Sequence, residues 1–235
     1  MLIDTQGARV LFFQDELKDE ITSEYFDGAY WQRNNAIIGS AFGRGITWFF
    51  KINNDEFVLR HYHRGGLIGK LIKDGYCYTG LKNTRAYQEF LVTQQLVDKN
   101  LPVPQPIAGQ VIKHGLFYRA DLITQKIAGA NDLVAVLKDR ALNQVDYQQI
   151  GAMIRRFHDV NLWHADLNTH NIILDGDGKW WLIDFDRCKF KPAADAWKQA
   201  NLARLKRSFV KEKNKDTAFK WQTTDWDLLL AGYQN

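Results

Sequence analysis

The chain has 235 residues, of which 46% are hydrophobic and 25% are charged, and its formal net charge is +4. These values match those of ordinary globular proteins, so they exclude disordered and collagen-like chains. Cys77 and Cys188 are the only cysteines. They are too few and too far apart for the disulfide framework of a secreted domain or for a zinc site, and they favour a reducing compartment.

The positive charge is unevenly distributed along the chain. The segment from Arg187 to Lys215 contains ten basic and two acidic residues, a net +8, and the remainder carries −4. This asymmetry indicates an anionic partner surface, which can be lipid, phosphate or nucleic acid. Asp4 near the N-terminus, and the lack of any apolar run approaching roughly 18 residues, predict a cytosolic chain without a signal peptide or membrane span.

The first half of the sequence predicts a sheet with one helix. Runs rich in Ile, Val, Phe and Trp at 36–42, 46–52 and 56–62 predict an antiparallel meander. Helical spacing of apolar residues over 84–99, ended by the prolines that follow, predicts a helix. A strand pair around 109–127, turning at Gly115, completes this half.

The second half predicts mostly helices. Apolar residues over 146–160 follow an amphipathic helical pattern, and 193–211 is a further predicted helix. Between them, two short apolar strands at 172–174 and 180–183 flank Asp175-Gly-Asp-Gly178, which is a strong hairpin signal. We therefore predict an α+β fold with two unequal lobes, a β-rich N-terminal lobe at 1–125 and a helical C-terminal lobe at 126–235.

Three polar residues surround the predicted hairpin. Asn171 precedes its first strand, Asp184 follows its second strand, and Asp166 lies in the loop that arrives from the helix. Hairpin pairing brings these side chains to one edge. Carboxylate and amide oxygens suit Mg²⁺, which proteins hold with one or two groups plus substrate phosphates, and a further carboxylate can accept a proton from an attacking hydroxyl.

Two other metal sites fit this region poorly. In Asp175-Gly-Asp-Gly-Lys179, a lysine stands where a calcium loop needs an oxygen ligand, and Trp180 stands where it needs a glycine. His158, His164 and His170 recur every six residues, so they would not share one face of a helix as zinc ligands do. We expect His164 to be a packed, hydrogen-bonded loop residue.

The order of these residues resembles the protein kinase superfamily. His164-Ala-Asp166 with Asn171 looks like the catalytic loop, and Asp184-Phe185-Asp186 looks like the following metal-binding motif. The resemblance implies a bilobal protein-kinase-like fold, with a small antiparallel-sheet N-terminal lobe that binds nucleotide. It also implies that Asp166 is the base and that Asn171 and Asp184 hold Mg²⁺ beneath ATP.

The first half supplies the matching nucleotide signals. Gly43 and Gly45 match the first two glycines of the kinase phosphate loop, with Trp48 in place of the third; by itself this stretch can equally be a hairpin turn. Arg60 stands where the kinase pattern has its phosphate-pairing lysine, and Glu89 is its expected ion-pair partner. Arginine is planar and larger than lysine, so this position departs from the kinase pattern.

Longer stretches resemble the Kdo (3-deoxy-D-manno-octulosonic acid) kinases, a lipopolysaccharide core sugar kinase branch of that superfamily. They include Arg60-His-Tyr-His-Arg-Gly-Gly66, Tyr118-Arg-Ala-Asp-Leu122 and Leu182-Ile-Asp-Phe-Asp-Arg187. The resemblance implies ATP- and Mg²⁺-dependent phosphorylation of the 4-hydroxyl of Kdo on a lipid A precursor. It also implies a peripheral protein at the cytoplasmic face of the inner membrane of a Gram-negative bacterium.

The expected partners follow from this resemblance and from the charge pattern. A Kdo-bearing lipid A precursor and an anionic membrane surface suit the basic segment, whose helix can alternatively pack on the C-terminal lobe. Arg64 is a candidate acceptor contact. No Ala-Pro-Glu motif follows Asp186, so a protein substrate is not expected, and no nucleic-acid-binding motif is present. A heptose or other small-molecule kinase, and a non-catalytic kinase-like binding module, are the alternatives.

Overall fold

The computed structural model describes residues 1–17, 20–42, 45–64 and 74–235. The chain divides into two compact units. The first unit contains Met1–Gln95 and Pro104–Lys126, and the second unit contains Leu96–Val103 and Ile127–Asn235. Gly43, one of the two predicted phosphate-loop glycines, lies outside the described residues.

The first unit is built on an antiparallel sheet. Its strands are β1 (Leu2–Gln6), β2 (Arg9–Phe13), β3 (Ile37–Phe42), β4 (Ile46–Ile52), β5 (Asp55–His61), β6 (Tyr76–Cys77), β7 (Pro106–His114) and β8 (Phe117–Gln125). Neighbours follow the order β1-β2-β7-β8-β5-β4-β3, and β6 also pairs with β8. The predicted meander is therefore present as β3 to β5, and the predicted strand pair is β7 with β8.

Both faces of this sheet carry packed side chains. On β2, Phe12 belongs to one buried cluster, whereas its neighbours Leu11 and Phe13 belong to another. This alternation arises because successive side chains of a strand point to opposite faces. Helix α1 (Gly28–Arg33) contributes Trp31 to the second cluster, and helix α2 (Arg85–Asp98) contributes Phe90 to the first. A sheet buried on both sides provides a rigid support for residues at its strand ends.

The second unit is mainly helical. Its helices are α3 (Leu133–Asp139), α4 (Gln144–Asp159), α5 (Asp195–Lys215) and α6 (Asp225–Gln234). Its short strands are β9 (Asn131–Asp132), β10 (Leu162–Trp163), β11 (Ile172–Leu174), β12 (Trp180–Leu182) and β13 (Lys189–Phe190). β11 pairs with both β12 and β9, and β10 pairs with β13. A capping box, formed by Asn143 and Asp146, begins α4 and satisfies amide groups that the helix itself leaves without partners.

Helices α4 and α6 approach each other at a pair of glycines. A Cβ atom added to Gly151 would overlap the carbonyl oxygen of Leu229, and one added to Gly232 would overlap the carbonyl oxygen of Gln148. Near the end of the same interface, the imidazole of His158 lies 2.8 Å from the Tyr233 hydroxyl. Burial is the main cause that lowers the pKa of His158 to about 4, so this histidine is neutral in the packed interface.

These elements confirm the predicted α+β fold class, with an antiparallel sheet in the first unit and a mainly helical second unit. The sequence patterns did not indicate β1, β2, α1, α3 or α6. Within the described ranges, no helix combines the length and the apolar composition needed to cross a membrane.

We predict that Gly151→Ala destabilises the protein although alanine is the better helix former. The added methyl group meets backbone atoms that cannot rotate away, which costs about 2 to 3 kcal/mol of the free energy of unfolding. The matched control is Ala152→Gly at the exposed neighbouring position, which should cost only about 1 kcal/mol of helix propensity. Urea unfolding measures both, and a Gly151→Ala protein as stable as wild type would contradict this close helix packing.

Candidate active site

The predicted catalytic loop begins directly after β10 in the second unit. The pairing of Leu162 with Phe190 and of Trp163 with Lys189 joins β10 to β13. The chain therefore leaves this point through Asp166 and returns to it shortly after Asp184. Two segments that are far apart in sequence become neighbours, and the loop is held at its start.

The hairpin of β11 and β12 places Asn171 and Asp184 at one end. Ile172 pairs with Leu182, and the Ile183 amide donates a hydrogen bond of 3.0 Å to the Asn171 carbonyl oxygen. Asn171 and Asp184 are thus the first polar residues beyond the same end of the paired strands. This agrees with the arrangement expected from the sequence.

Asp184 has a left-handed backbone conformation with a φ of 65°. Aspartate tolerates this region better than most residues, but a side chain held there still costs about 1 to 3 kcal/mol, and such residues cluster at functional sites. The next residue, Phe185, is buried and packs against His164 and Phe157. Packing of Phe185 therefore fixes the turn that presents Asp184.

His164 is a buried structural residue of the loop. Its Nδ1 accepts a hydrogen bond from the Asp166 amide at 3.2 Å, and its Nε2 lies 3.2 Å from the Ile183 carbonyl oxygen, which accepts from it. Burial lowers the pKa of His164, against the opposing effect of the Asp184 and Asp166 carboxylates. A neutral imidazole with both nitrogens engaged ties the loop to the hairpin, as expected for a packed loop histidine.

The loop backbone also orients the amide of Asn171. Its Nδ2 donates to the Asp166 carbonyl oxygen at 2.9 Å, and the residue is almost fully buried. Among the residues that the structure describes, no donor contacts the Asn171 Oδ1 atom, so this oxygen is available to a ligand. The side chain of Asp166 is half-exposed, with 51% of its surface accessible. Asn171 is therefore fixed and buried, whereas the side chain of Asp166 reaches solvent.

Helix α5 contacts this loop through three residues on one face. Asn201 accepts from the His164 amide at 3.1 Å and donates to the His164 carbonyl oxygen at 2.9 Å, and Ser208 accepts from the Thr169 amide at 3.1 Å. Between them, Arg204 donates from Nε and Nη2 to the Oδ1 atom of Asp166. The helix therefore both fixes the loop backbone and contacts its exposed carboxylate.

The donor set suits a magnesium ion that arrives with a nucleotide. In the described part of the chain, no group of three or more His, Cys, Asp or Glu residues is placed to hold a metal. A Mg²⁺ ion bound to phosphates needs only one or two protein oxygens, which Asn171 Oδ1 and the Asp184 carboxylate can supply. The side chains of Asn171 and Asp184 therefore fit a magnesium ion that is held mainly by phosphates.

In the first unit, Arg60 and Glu89 form the ion pair expected from the sequence. Arg60 is at the end of β5 and Glu89 is on α2, where its side chain is only 5% exposed. The Tyr62 hydroxyl also donates to Glu89, and Arg60 lies 4.9 Å from the centre of the Tyr62 ring. A buried carboxylate requires such partners, because an unpaired buried charge is costly. The contribution of Tyr62 was not predicted from the sequence.

Gly45, the described phosphate-loop candidate, packs against a histidine. A Cβ atom at this position would overlap the imidazole of His63. A larger residue at this position would therefore have to displace the His63 ring. Arg64, the candidate acceptor contact, lies with its guanidinium 5.2 Å from the centre of the Tyr76 ring in the same unit.

The sequence analysis included Arg204 in the basic segment and missed its contact with Asp166. Asn201, Arg204 and Ser208 are spaced by three and four residues, so helical geometry puts them on one face. That spacing was the available signal. Nothing in the sequence, however, identified the loop as the surface that this face meets.

Comparisons with known proteins identify the relatives of this chain. The model of the lipopolysaccharide kinase (Kdo/WaaP) family matches residues 28–233. A protein of Vibrio cholerae named 3-deoxy-D-manno-octulosonic acid kinase is 48% identical over 202 residues, which cover 86% of each chain. Proteins of the same name from Actinobacillus succinogenes and Haemophilus influenzae are 44% and 43% identical, over 96% and 97% of this chain and 95% and 97% of their own lengths.

The family match and the relatives confirm the resemblance drawn from the sequence, including the prediction of an enzyme of the kinase class. Identity of this degree over nearly the whole chain exceeds what a shared fold alone requires. The chain belongs to the lipopolysaccharide kinase (Kdo/WaaP) family.

Proposed function

We propose that the chain transfers the γ-phosphoryl group of ATP to the 4-hydroxyl of a Kdo residue on a lipid A precursor, Kdo-lipid IVA, in lipopolysaccharide inner-core biosynthesis. The observation that carries this proposal is that Asn171 and Asp184 adjoin the same end of one hairpin, where the Asn171 side chain bonds the backbone of Asp166. The names of the relatives support Kdo as the sugar. The lipid-borne acceptor and the position of the hydroxyl are implied by the resemblance noted in the sequence.

Asp166 is the proposed base. The hydroxyl oxygen of the sugar attacks the γ-phosphorus while its proton passes to Asp166, and the bond to the β-phosphate oxygen breaks to release ADP. Its half-exposed side chain can reach an acceptor that arrives from solvent. Hydrogen bonds from Asn168 and Asn171 to its carbonyl oxygen hold the backbone of this residue in place.

Asn171 and Asp184 are the proposed ligands of magnesium. The ion supplies charge neutralisation to the phosphates of ATP. The hydrogen bond from Nδ2 directs the Oδ1 of Asn171 away from the loop backbone, and the packed Phe185 fixes the turn at Asp184. Both ligands are thus positioned before any nucleotide binds, which lowers the cost of ordering them.

We propose residues 1–125 as the nucleotide-binding lobe and residues 126–235 as the catalytic lobe with its basic tail. Arg60, held by Glu89 and Tyr62, neutralises phosphate charge in this scheme. The Arg60 side chain keeps 30% of its surface accessible. Gly43 and Gly45 are proposed to let backbone amides approach the phosphates. The contact of His63 with Gly45 offers a second reason for that glycine.

The proposed location is the cytoplasmic face of the inner membrane of a Gram-negative bacterium, as a peripheral protein. The acceptor carries a lipid, and the +8 segment that includes α5 suits an anionic surface. Several relatives come from Vibrio and Haemophilus species. We propose neither a protein substrate nor a nucleic-acid partner.

An acceptor panel tests the function. We expect radiolabel from ATP to appear on Kdo-lipid IVA, at the 4-hydroxyl, and not on heptosylated core or on an aminoglycoside. Label on the heptosylated core alone would identify a heptose kinase. Salt-sensitive DNA binding without any nucleotide turnover would indicate the non-catalytic binding module.

Asp166→Ala is expected to lower kcat by about 10² to 10⁴, the usual contribution of a positioned acid or base. The exposed side chain is not needed for folding, so the variant should keep its thermal stability. Steady-state kinetics with Kdo-lipid IVA measures the effect, and Asp177→Ala in the exposed hairpin turn is the control. Turnover of Asp166→Ala close to that of wild type would exclude Asp166 as the base.

Asp184→Asn is expected to raise the Mg²⁺ concentration needed for half-maximal activity by more than tenfold, because a neutral amide replaces a charged ligand. The comparison is a magnesium titration at saturating ATP. Asp186→Asn, two residues along the chain, is the matched variant, and it should shift this concentration less. An unaltered magnesium dependence in Asp184→Asn would reject the metal-binding role.

A further inference from the structure

The contact between Arg204 and Asp166 leaves both groups with unused hydrogen-bonding atoms. Arg204 directs Nε and Nη2 to a single oxygen, Oδ1 of Asp166. Within the described part of the chain, Nη1 of Arg204 and Oδ2 of Asp166 have no hydrogen-bond partner. A guanidinium has five N–H donors, so most of its capacity to bind an anion remains.

This ion pair contributes little to folding. The two side chains are 47% and 51% exposed. Exposed pairs of this kind stabilise proteins by about 0 to 1 kcal/mol, because water already solvates both charges. Stability therefore does not explain why an arginine contacts the one half-exposed carboxylate of the loop.

The position of Arg204 is nevertheless well fixed. Asn201 precedes it by one turn and makes two hydrogen bonds to His164, and Ser208 follows by one turn and bonds Thr169. The next residue, Leu205, and Phe209 on the following turn are fully buried. The helix backbone at Arg204 is therefore held on both sides of the contact, while the guanidinium itself stays at the surface.

Any hydroxyl that hydrogen-bonds Asp166 must lie beside Arg204. Guanidinium groups bind carboxylates with paired, charge-assisted hydrogen bonds, and a lysine does not reproduce this geometry. Kdo is a sugar acid. In its six-membered ring, the carboxylate is attached to the carbon next but one to the carbon that carries the 4-hydroxyl. Two protein side chains that touch each other can thus contact the hydroxyl and the carboxylate of one sugar.

We infer that Arg204 is a specificity-determining residue that binds the carboxylate of the acceptor sugar while its contact with Asp166 keeps the base directed at the hydroxyl. This inference rests on the proposed function, which it deepens by assigning the group that recognises a sugar acid. A neutral sugar lacks this interaction, so the same contact discriminates against neutral acceptors. A neutral acceptor leaves the Arg204 guanidinium without an anion, and this cost weakens the binding of the neutral acceptor.

The test compares two acceptors, Kdo-lipid IVA and the same molecule with the Kdo carboxylate converted to its primary amide. Wild type should prefer the acid in kcat/KM by about 10- to 100-fold, as expected for hydrogen bonds to a charged group. In Arg204→Ala this preference should fall to near 1, with a raised KM for the acid and an unchanged KM for ATP. Arg204→Lys should keep part of the preference, because it keeps the charge and loses the paired geometry.

Arg155→Ala is the matched control. Arg155 forms an exposed pair with Asp159 on α4, and these side chains are 45% and 51% exposed, nearly as in the Arg204 pair. Its removal should leave the acid-to-amide ratio unchanged. Because the ratio is measured on one preparation with two acceptors, a difference in the folded fraction between variants cancels.

The possible outcomes distinguish a failure of the inference about Arg204 from a failure of the proposed function. If wild type phosphorylates the acid and Arg204→Ala retains the preference for it, the inference about Arg204 is wrong and the proposed function stands. A fall in kcat with an unchanged ratio would make Arg204 a positioning residue for Asp166 only, which also overturns the inference. If wild type phosphorylates neither Kdo acceptor, the proposed function fails and the role of Arg204 in acceptor binding fails with it.

Discussion

The pairing of β11 with β12 is the constraint on which the candidate site depends. The hydrogen bond from the Ile183 amide to the Asn171 carbonyl oxygen is the last one before the two strands separate. A slip of one residue would turn every side chain of one strand to the other face. Ile172 and Leu182 are almost completely buried, so a slip would remove them from the core packing that they make. Core packing therefore determines which oxygens meet at the hairpin end.

The loop that precedes this hairpin is fixed by buried polar contacts. His164 and Asn201 are almost completely buried, and each makes hydrogen bonds that would be costly to leave unmade. Their network joins the catalytic loop to the hairpin on one side and to α5 on the other. As a result, the backbone around Asp166 is rigid while its side chain remains accessible. Rigid support beneath an exposed reactive group is the arrangement that catalysis by positioning requires.

The first unit also contains a buried polar group, the carboxylate of Glu89, which a different set of contacts stabilises. Glu89 is buried on α2 and receives donors from Arg60 and Tyr62. A guanidinium offers a planar set of five donors, which differs from the point charge of a lysine. The departure from the usual kinase lysine is thus accompanied by a tyrosine that shares the pairing. Tyr62 directly follows β5, and its ring and hydroxyl both contact the Arg60 guanidinium.

The sequence by itself determined the order and type of most elements in the described ranges, because alternating and helical apolar patterns reflect which face is buried. It also predicted that Asn171 and Asp184 lie close together, since a hairpin brings the outer ends of its two strands together whatever surrounds it. Short elements such as α3, and β1 and β2 at the N-terminus, lacked a pattern long enough to be recognised. Only the tertiary structure decided what α5 contacts. Helical spacing placed Asn201, Arg204 and Ser208 on one face, but long-range packing alone brought that face to the catalytic loop.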